Sequence, residues 1–350
     1  MADSLLEVTN LDVTYRTKRD SVQAVSNASF SIESNGYFGL VGESGCGKST
    51  LARAVMNSLD TNGEISGGEI RYRGDPIHNL SDREYKNSVR WDEIAFIPQS
   101  AMNSLDPLTT VQNQALEIAQ AHKDWSNEKT LEKLRELFDI VGLPQSRIAD
   151  YPHQFSGGMK QRAIIALSLL LDPSLVIADE PTTALDVIMQ DQLLKYLDEL
   201  RQERDFSLLM ITHDIAVVFE LCDSIAVMHG GQIAETGGIT DVFDEPRHPY
   251  SILLQRAFPD VRFPDRSLEQ IEGTPPPLSG SVDYCTFADR CPWAEPDCRD
   301  GAPPLEPVGG DASHLTSCIR SDEMEELAAS HLEGRSTGES SVQSIQGSEQ

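Results

Sequence analysis

Gly42-Glu43-Ser44-Gly45-Cys46-Gly47-Lys48-Ser49 satisfies the pattern G-x-x-x-x-G-K-[ST] at every fixed position. The apolar run Tyr37-Phe38-Gly39-Leu40-Val41 leads into it as a buried strand, and Thr50-Leu51-Ala52-Arg53-Ala54-Val55 leads out of it as a helix. Between those elements the glycines let backbone N–H groups close on phosphate oxygens, while the helix N-terminus offers its positive end. Lys48 would reach the β- and γ-phosphates as a point charge, and the Ser49 hydroxyl would ligate Mg²⁺. Strand, loop and helix together imply a nucleoside triphosphate site in an α/β fold.

Outward from the loop, alternation in Leu5 to Tyr15, Ala28 to Ile32 and Glu69 to Arg73 predicts antiparallel strands with one wet face. Apolar residues recur at helical spacing from Val111 to Leu143 and again from Met159 to Leu171, a helical block inserted between two α/β segments. Leu175 to Ala178 and Ser207 to Thr212 read as buried strands joined by the helical stretch Met189 to Arg204, and Ser224 to Met228 with Gln232 to Glu235 as a closing hairpin around Gly230-Gly231. After about residue 260, Pro275-Pro276-Pro277 and four cysteines predict a loop-rich module with little regular structure, and Gly334 to Gln350 is a polar tail of disordered composition.

The 350 residues carry 56 acidic against 28 basic side chains, a formal charge of −28. That balance disfavours nucleic acid as a partner and direct attachment to anionic lipid. It also favours a saline setting, where salt screens the self-repulsion, and so points to a halophile. The longest apolar run, Ala163 to Leu171, is far shorter than the roughly 18 residues of a spanning helix, and acidic Asp3 stands where a signal peptide would be basic. A chain in the cytosol, or peripheral to a membrane through a protein partner, is the expectation.

Leu175-Val176-Ile177-Ala178-Asp179-Glu180 delivers two carboxylates at the end of an apolar strand, where parallel α/β sheets bind ligands. Asp179 is placed to hold Mg²⁺ through water and Glu180 to take a proton from an attacking water. In Phe155-Ser156-Gly157-Gly158-Met159-Lys160-Gln161-Arg162, Ser156 can cap the following helix, and the glycines leave its N–H groups open to a phosphate. With Gln99, Ala184-Leu185-Asp186 and His213, these motifs resemble the nucleotide-binding subunit of an ATP-binding-cassette (ABC) transporter, over about residues 4 to 320.

The resemblance implies an α/β fold: a P-loop ATPase core with an antiparallel β subdomain and a helical subdomain over about residues 100–172. Residues 1–260 would form the nucleotide-binding domain, 261–325 a C-terminal cysteine module and 326–350 the tail. It further implies that Tyr15 stacks on adenine, that residues Gly42 to Thr50 hold ATP, and that Gln99 senses Mg²⁺ and the transmembrane partner. Glu180 would be the general base, and His213 would contact the γ-phosphate. Ser156 to Met159 would meet the nucleotide held by an opposite cassette, with Ala184 to Asp186 communicating across that interface. Met159 departs from the glutamine of most cassettes but suits the peptide-importer branch.

Ile97 to Pro107, His248 to Leu254 and Cys285 to Pro292 are similar to the oligopeptide, dipeptide and nickel importer ATPases. The last two stretches are expected to lie outside the ATP chemistry. The implied assembly is a second ATPase subunit, identical or a sister chain, two permease subunits and, indirectly, an extracellular substrate-binding protein, with this chain at the cytoplasmic face. Cys285, Cys291, Cys298 and Cys318 lack the C-x₂₋₄-C pairs usual for zinc; loosely spaced thiolates beside Pro292 suit an iron–sulfur cluster, and the resemblance points to [4Fe-4S], zinc or free structural thiols being the alternatives. His314 is a candidate substitute ligand, and Cys46 and Cys222 read as packing residues.

Overall fold

In this computed structural model residues 4–330 are described, apart from 19, 100–103, 183–186, 258–270, 277, 279, 281 and 282. In chain order the first strands are β1 (Ser4–Arg16), β2 (Ser21–Glu33) and β3 (Tyr37–Val41), followed by α1 (Lys48–Val55), β4 (Gly63–Tyr72), β5 (Asp75–Pro76), α2 (Asp82–Ser88) and β6 (Ile94–Ile97). The helical block comprises α3 (Val111–His122), α4 (Asn127–Ile140) and α5 (Gly157–Ser168). Then come β7 (Leu175–Asp179), α6 (Val187–Glu203), β8 (Ser207–Thr212), α7 (Ile215–Leu221), β9 (Ser224–His229), β10 (Gln232–Gly238), α8 (Ile239–Asp244), α9 (Pro249–Ala257), β11 (Glu306–Val308) and β12 (Asp311–Thr316).

Two sheets form. The smaller is antiparallel, in the order β2-β1-β4-β5, and β4 alternates half-buried with exposed residues over most of its length, as one wet face requires. The larger runs β11-β12-β10-β9-β3-β8-β7-β6, and every residue of its central strands β3, β7 and β8 is buried. These strands pair in parallel, and side-chain alternation splits them between two cores. Tyr37, Val41, Val176, Ala178, Leu208 and Met210 pack toward the helical block, with Leu134, Phe138 and Ile165. Phe38, Leu40, Leu175, Ile177, Leu209 and Ile211 pack toward α1 and the antiparallel sheet, with Leu51, Leu11 and Val25. The phosphate loop therefore springs from a strand gripped on both faces.

The loop-rich C-terminal stretch carries two short strands: β12 pairs antiparallel with β10, and β11 with β12, so residues 306–316 extend the main sheet. Buried His314 of β12 lies against the fully buried Glu235 carboxylate of β10 (Nε2–Oε1 2.8 Å), which also accepts the Arg247 and His248 N–H groups. The polar tail lies outside the described residues.

Candidate active site

Residues 42–47 leave β3 and deliver Lys48 to the first turn of α1. Gly42 and Gly47 adopt φ of 154° and 110°. A Cβ at Gly42 would lie 2.1 Å from the Met228 carbonyl oxygen, and one at Gly47 2.3 Å from that of Ala24, so only glycine fits either place. The buried Lys48 ammonium folds into the loop and donates to the carbonyls of Gly42 (2.7 Å) and Glu43 (2.9 Å). Ser49 Oγ donates to Asp179 Oδ1 at 3.1 Å, joining the loop to the end of β7. Burial lifts the Asp179 carboxyl above its ordinary range, and the Glu180 charge adds to that, while the Ser49 hydrogen bond works the other way. A buried carboxylate beside a hydroxyl is a donor set that a divalent cation fits.

Glu180 follows at φ 48°, in left-handed backbone, with its N–H donating to Ile211 O at 2.7 Å. Its carboxylate accepts from Gln99 Nε2 (2.8 Å) on one oxygen and lies 3.1 Å from His213 Nδ1 on the other. Gln99, Glu180 and His213, from three separate stretches of chain, thus converge beside the Ser49–Asp179 pair. Gln99 is bonded to Glu180 rather than to Ser49 or Asp179. Tyr15 lies half-buried in β1, paired with Val22 and Gly63, its ring covering the Gly63 backbone.

Ser156 caps α5, its Oγ accepting from Met159 N at 3.4 Å, so the reading of Ser156 as a cap holds. Among the described residues no hydrogen bond joins Ser156 to Met159 with residues 42–49, but Gln161 of α5 donates to Pro181 O (2.8 Å), next to Glu180. Ala184, Leu185 and Asp186 lie outside the described residues. Between β6, α3 and α5 runs a groove of about 470 Å³ with apolar walls including Trp91, Phe96, Leu105, Ile118 and Leu167, one residue away from Gln99 at Pro98. No helix among the described residues is long and apolar enough to cross a membrane.

The cysteines fall into two groups. Cys46 and Cys222 are buried in the cores, where burial pushes both thiols up. Cys285, Cys291, Cys298 and Cys318 line one small cavity together with His248, Phe287 and Trp293. Burial pushes the Cys291 thiol up to about 12 and the Cys318 thiol to about 11. Among the described residues no set of three or more His, Cys, Asp or Glu side chains is drawn together tightly enough to hold a metal ion as it stands. His314 is not on that cavity; Glu235 holds it in β12.

What sequence reasoning missed is the surroundings of Glu43. Tyr250 and the 285–292 stretch were expected to lie outside the ATP chemistry, yet both reach the phosphate loop. Tyr250 Oη accepts the Glu43 N–H at 3.0 Å, and Arg290 forks onto the Glu43 carboxylate at 2.6 and 2.9 Å. Buried His229 accepts from Arg290 (3.2 Å) at Nε2 and donates from Nδ1 to Thr286 Oγ1 (3.0 Å), which in turn donates to the His229 carbonyl. Burial, with Arg290 beside it, lowers the His229 imidazole to about 3 and keeps it neutral. An acidic residue at the second position of a phosphate loop was the one signal available.

Residues 25–183 match the ABC transporter family, and residues 234–298 match the C-terminal region of oligopeptide/dipeptide transporters. Over 321 residues, 91% of this chain and 94% of the other, the sequence is 44% identical to the oligopeptide transport ATP-binding protein OppD of Salmonella typhimurium. The chain belongs to the oligopeptide/dipeptide branch of the ABC transporter family. This ABC cassette is also 38% identical to the dipeptide transport ATP-binding protein DppD of Bacillus subtilis, over 93% of its length and 97% of that protein's. Its fold matches the dimeric ATP-binding cassette MJ0796, bound to ADP and Pi in a post-hydrolysis state, with a TM-score of 0.59 at 25% identity over 67% of this chain and 98% of that one. It likewise matches cbiO1 of Clostridium perfringens, part of the transporter complex cbiONQ (TM-score 0.60, 26% identity, 69% and 92% covered).

Proposed function

We propose that this ABC cassette is the ATP-hydrolysing subunit of an importer of oligopeptides or dipeptides, paired with a second cassette beneath two permease subunits that an extracellular binding protein supplies. The observation that carries it is the convergence of Gln99 and His213 on Glu180 beside the Ser49–Asp179 pair. The names of the relatives supply the class of solute.

In this reading Tyr15 stacks on adenine, and the N–H groups of residues 42–50 cradle the phosphates. Lys48 exchanges its loop carbonyls for phosphate oxygens. Ser49, Asp179 and Gln99 would hold Mg²⁺, which when bound neutralises phosphate charge. Glu180 orients a water and takes its proton as the water oxygen bonds the γ-phosphorus; the bond to the β,γ-bridging oxygen breaks, and ADP and phosphate leave. His213 contacts the γ-phosphate and, with Gln99, fixes the Glu180 carboxylate. Ser156 to Met159 address the nucleotide of the opposite cassette, with residues 184–186 at the same junction. The groove beside Gln99 receives a permease segment, and Leu108, 83% exposed two residues beyond groove-lining Asp106, stands ready to be covered. The chain then works at the cytoplasmic face of the membrane, held there by the permeases.

Cys285, Cys291, Cys298 and Cys318 would carry a [4Fe-4S] cluster: four sulfurs share one cavity that no carboxylate lines, a donor set that suits iron–sulfur ligation, with zinc as the alternative. Because burial holds the Cys291 and Cys318 thiols protonated, loading the site would release protons.

The test is Glu180→Gln. It should bind ATP at normal affinity and lose roughly 10²- to 10⁴-fold in kcat, the usual cost of a missing general base. Hydrolysis near the unmodified rate would remove Glu180 from that role.

A further inference from the structure

Glu43 poses a problem that the ATP chemistry does not solve. It places a carboxylate in a loop built to receive a polyanion, where a free negative charge opposes binding. The chain answers from the far end of its sequence: the Arg290 guanidinium, only 5% exposed, makes a two-pronged pair with the Glu43 carboxylate, itself one-quarter exposed. Arg290 is fixed in turn, donating from Nε to Glu272 O (2.9 Å) and from Nη1 to His229 Nε2 (3.2 Å). Backbone bonds complete the frame: the Glu43 N–H goes to Tyr250 Oη, and the Gly231 N–H goes to Cys46 O at 2.9 Å.

Resting on the reading of residues 42–49 as the ATP phosphate loop, we propose that Arg290 is a positioning residue for nucleotide binding. It neutralises Glu43 and holds that side of the loop in place, so that the cysteine-bearing C-terminal segment is a working part of the ATP site. A fork is what the task needs, since a carboxylate held at both oxygens cannot turn toward the phosphates.

The experiment is a double-mutant cycle on the full chain, reading the Kd of Mg-ATP with a fluorescent analogue and kcat and KM separately. Arg290→Ala should weaken nucleotide binding roughly 10- to 100-fold, as expected when a charged hydrogen-bonded partner is lost, with KM moving more than kcat. Glu43→Gln alone sets the reference for the cycle, and Glu43→Gln added to Arg290→Ala should recover a large part of the loss, because the unpaired charge is gone. Arg290→Lys, which keeps charge without the fork, should fall between wild type and Arg290→Ala, and it carries the test if the alanine variant does not fold. Affinity within twofold of wild type in Arg290→Ala or Arg290→Lys, or a double variant no tighter than Arg290→Ala, overturns the proposal. Lys48→Ala separates the two claims: loss of binding there upholds the loop whatever Arg290 does, and unchanged binding removes loop and proposal together.

Discussion

Glu180 occupies left-handed backbone, which costs a side-chain-bearing residue on the order of 1–2 kcal/mol. The bend turns its carboxylate out of the strand line to meet Gln99 and His213, and such strain persists only where the surroundings enforce it, here the short bond from its N–H to Ile211. His229 is the opposite case, a residue whose consequence is measurable in acid. Neutral in the fold with its imidazole lowered to about 3, it takes up a proton in the unfolded chain from about pH 6.5 downward. The unfolded state therefore binds more protons across that window, and stability falls as pH falls from 6.5 toward 3, by up to about 1.4 kcal/mol per unit from this group. Buried His248, likewise lowered to about 3, adds to that fall, so denaturant unfolding at pH 7, 6 and 5 should show a loss of stability that His229→Asn reduces in part; an equal slope in both proteins would assign the acid sensitivity elsewhere. The Gly42–Ser49 and Asp179–Glu180 motifs were legible because their spacing is local. Tyr250, His229 and Arg290 were not, because nothing in a linear reading links them to Glu43.

At the level of elements, β3, β7 and β8 announce themselves as short apolar runs, and the antiparallel strands as alternation, because burial on two faces or one writes itself directly into composition. β12 could not be read that way: its Asp-Ala-Ser-His opening is polar, and its buried contact is the pair of His314 with Glu235. Packing supplies a further prediction. In β3, Gly39 lets α7 approach so closely that a Cβ there would lie 2.1 Å from Val218 Cγ1. Gly39→Ala should destabilise the chain by about 1–3 kcal/mol through overpacking. Val218→Ala should cost stability alone yet recover part of the loss in the Gly39→Ala background, as seen in denaturation midpoints. Additive losses would mean that α7 and β3 do not press on each other at this point.

For the whole molecule, the excess of acid dominates, with 56 acidic and 28 basic side chains on one chain. Raising NaCl from about 0.1 M to 1 M shortens the screening length from about 10 Å to about 3 Å, so Tm should climb by several degrees and level off. A flat or falling Tm would show that the acidic surface is already neutralised by local ion pairs. The saline setting suggested by composition stands or falls with that measurement.

The joining of β12 to β10 bears on the order in which the protein is made. β10 emerges from the ribosome long before residues 311–316 exist, so for that interval its outer row of N–H and C=O groups has no strand beside it. That edge of the nascent cassette thus closes only once residues 311–316 appear, and slow or interrupted translation before that point leaves the seam available to other chains.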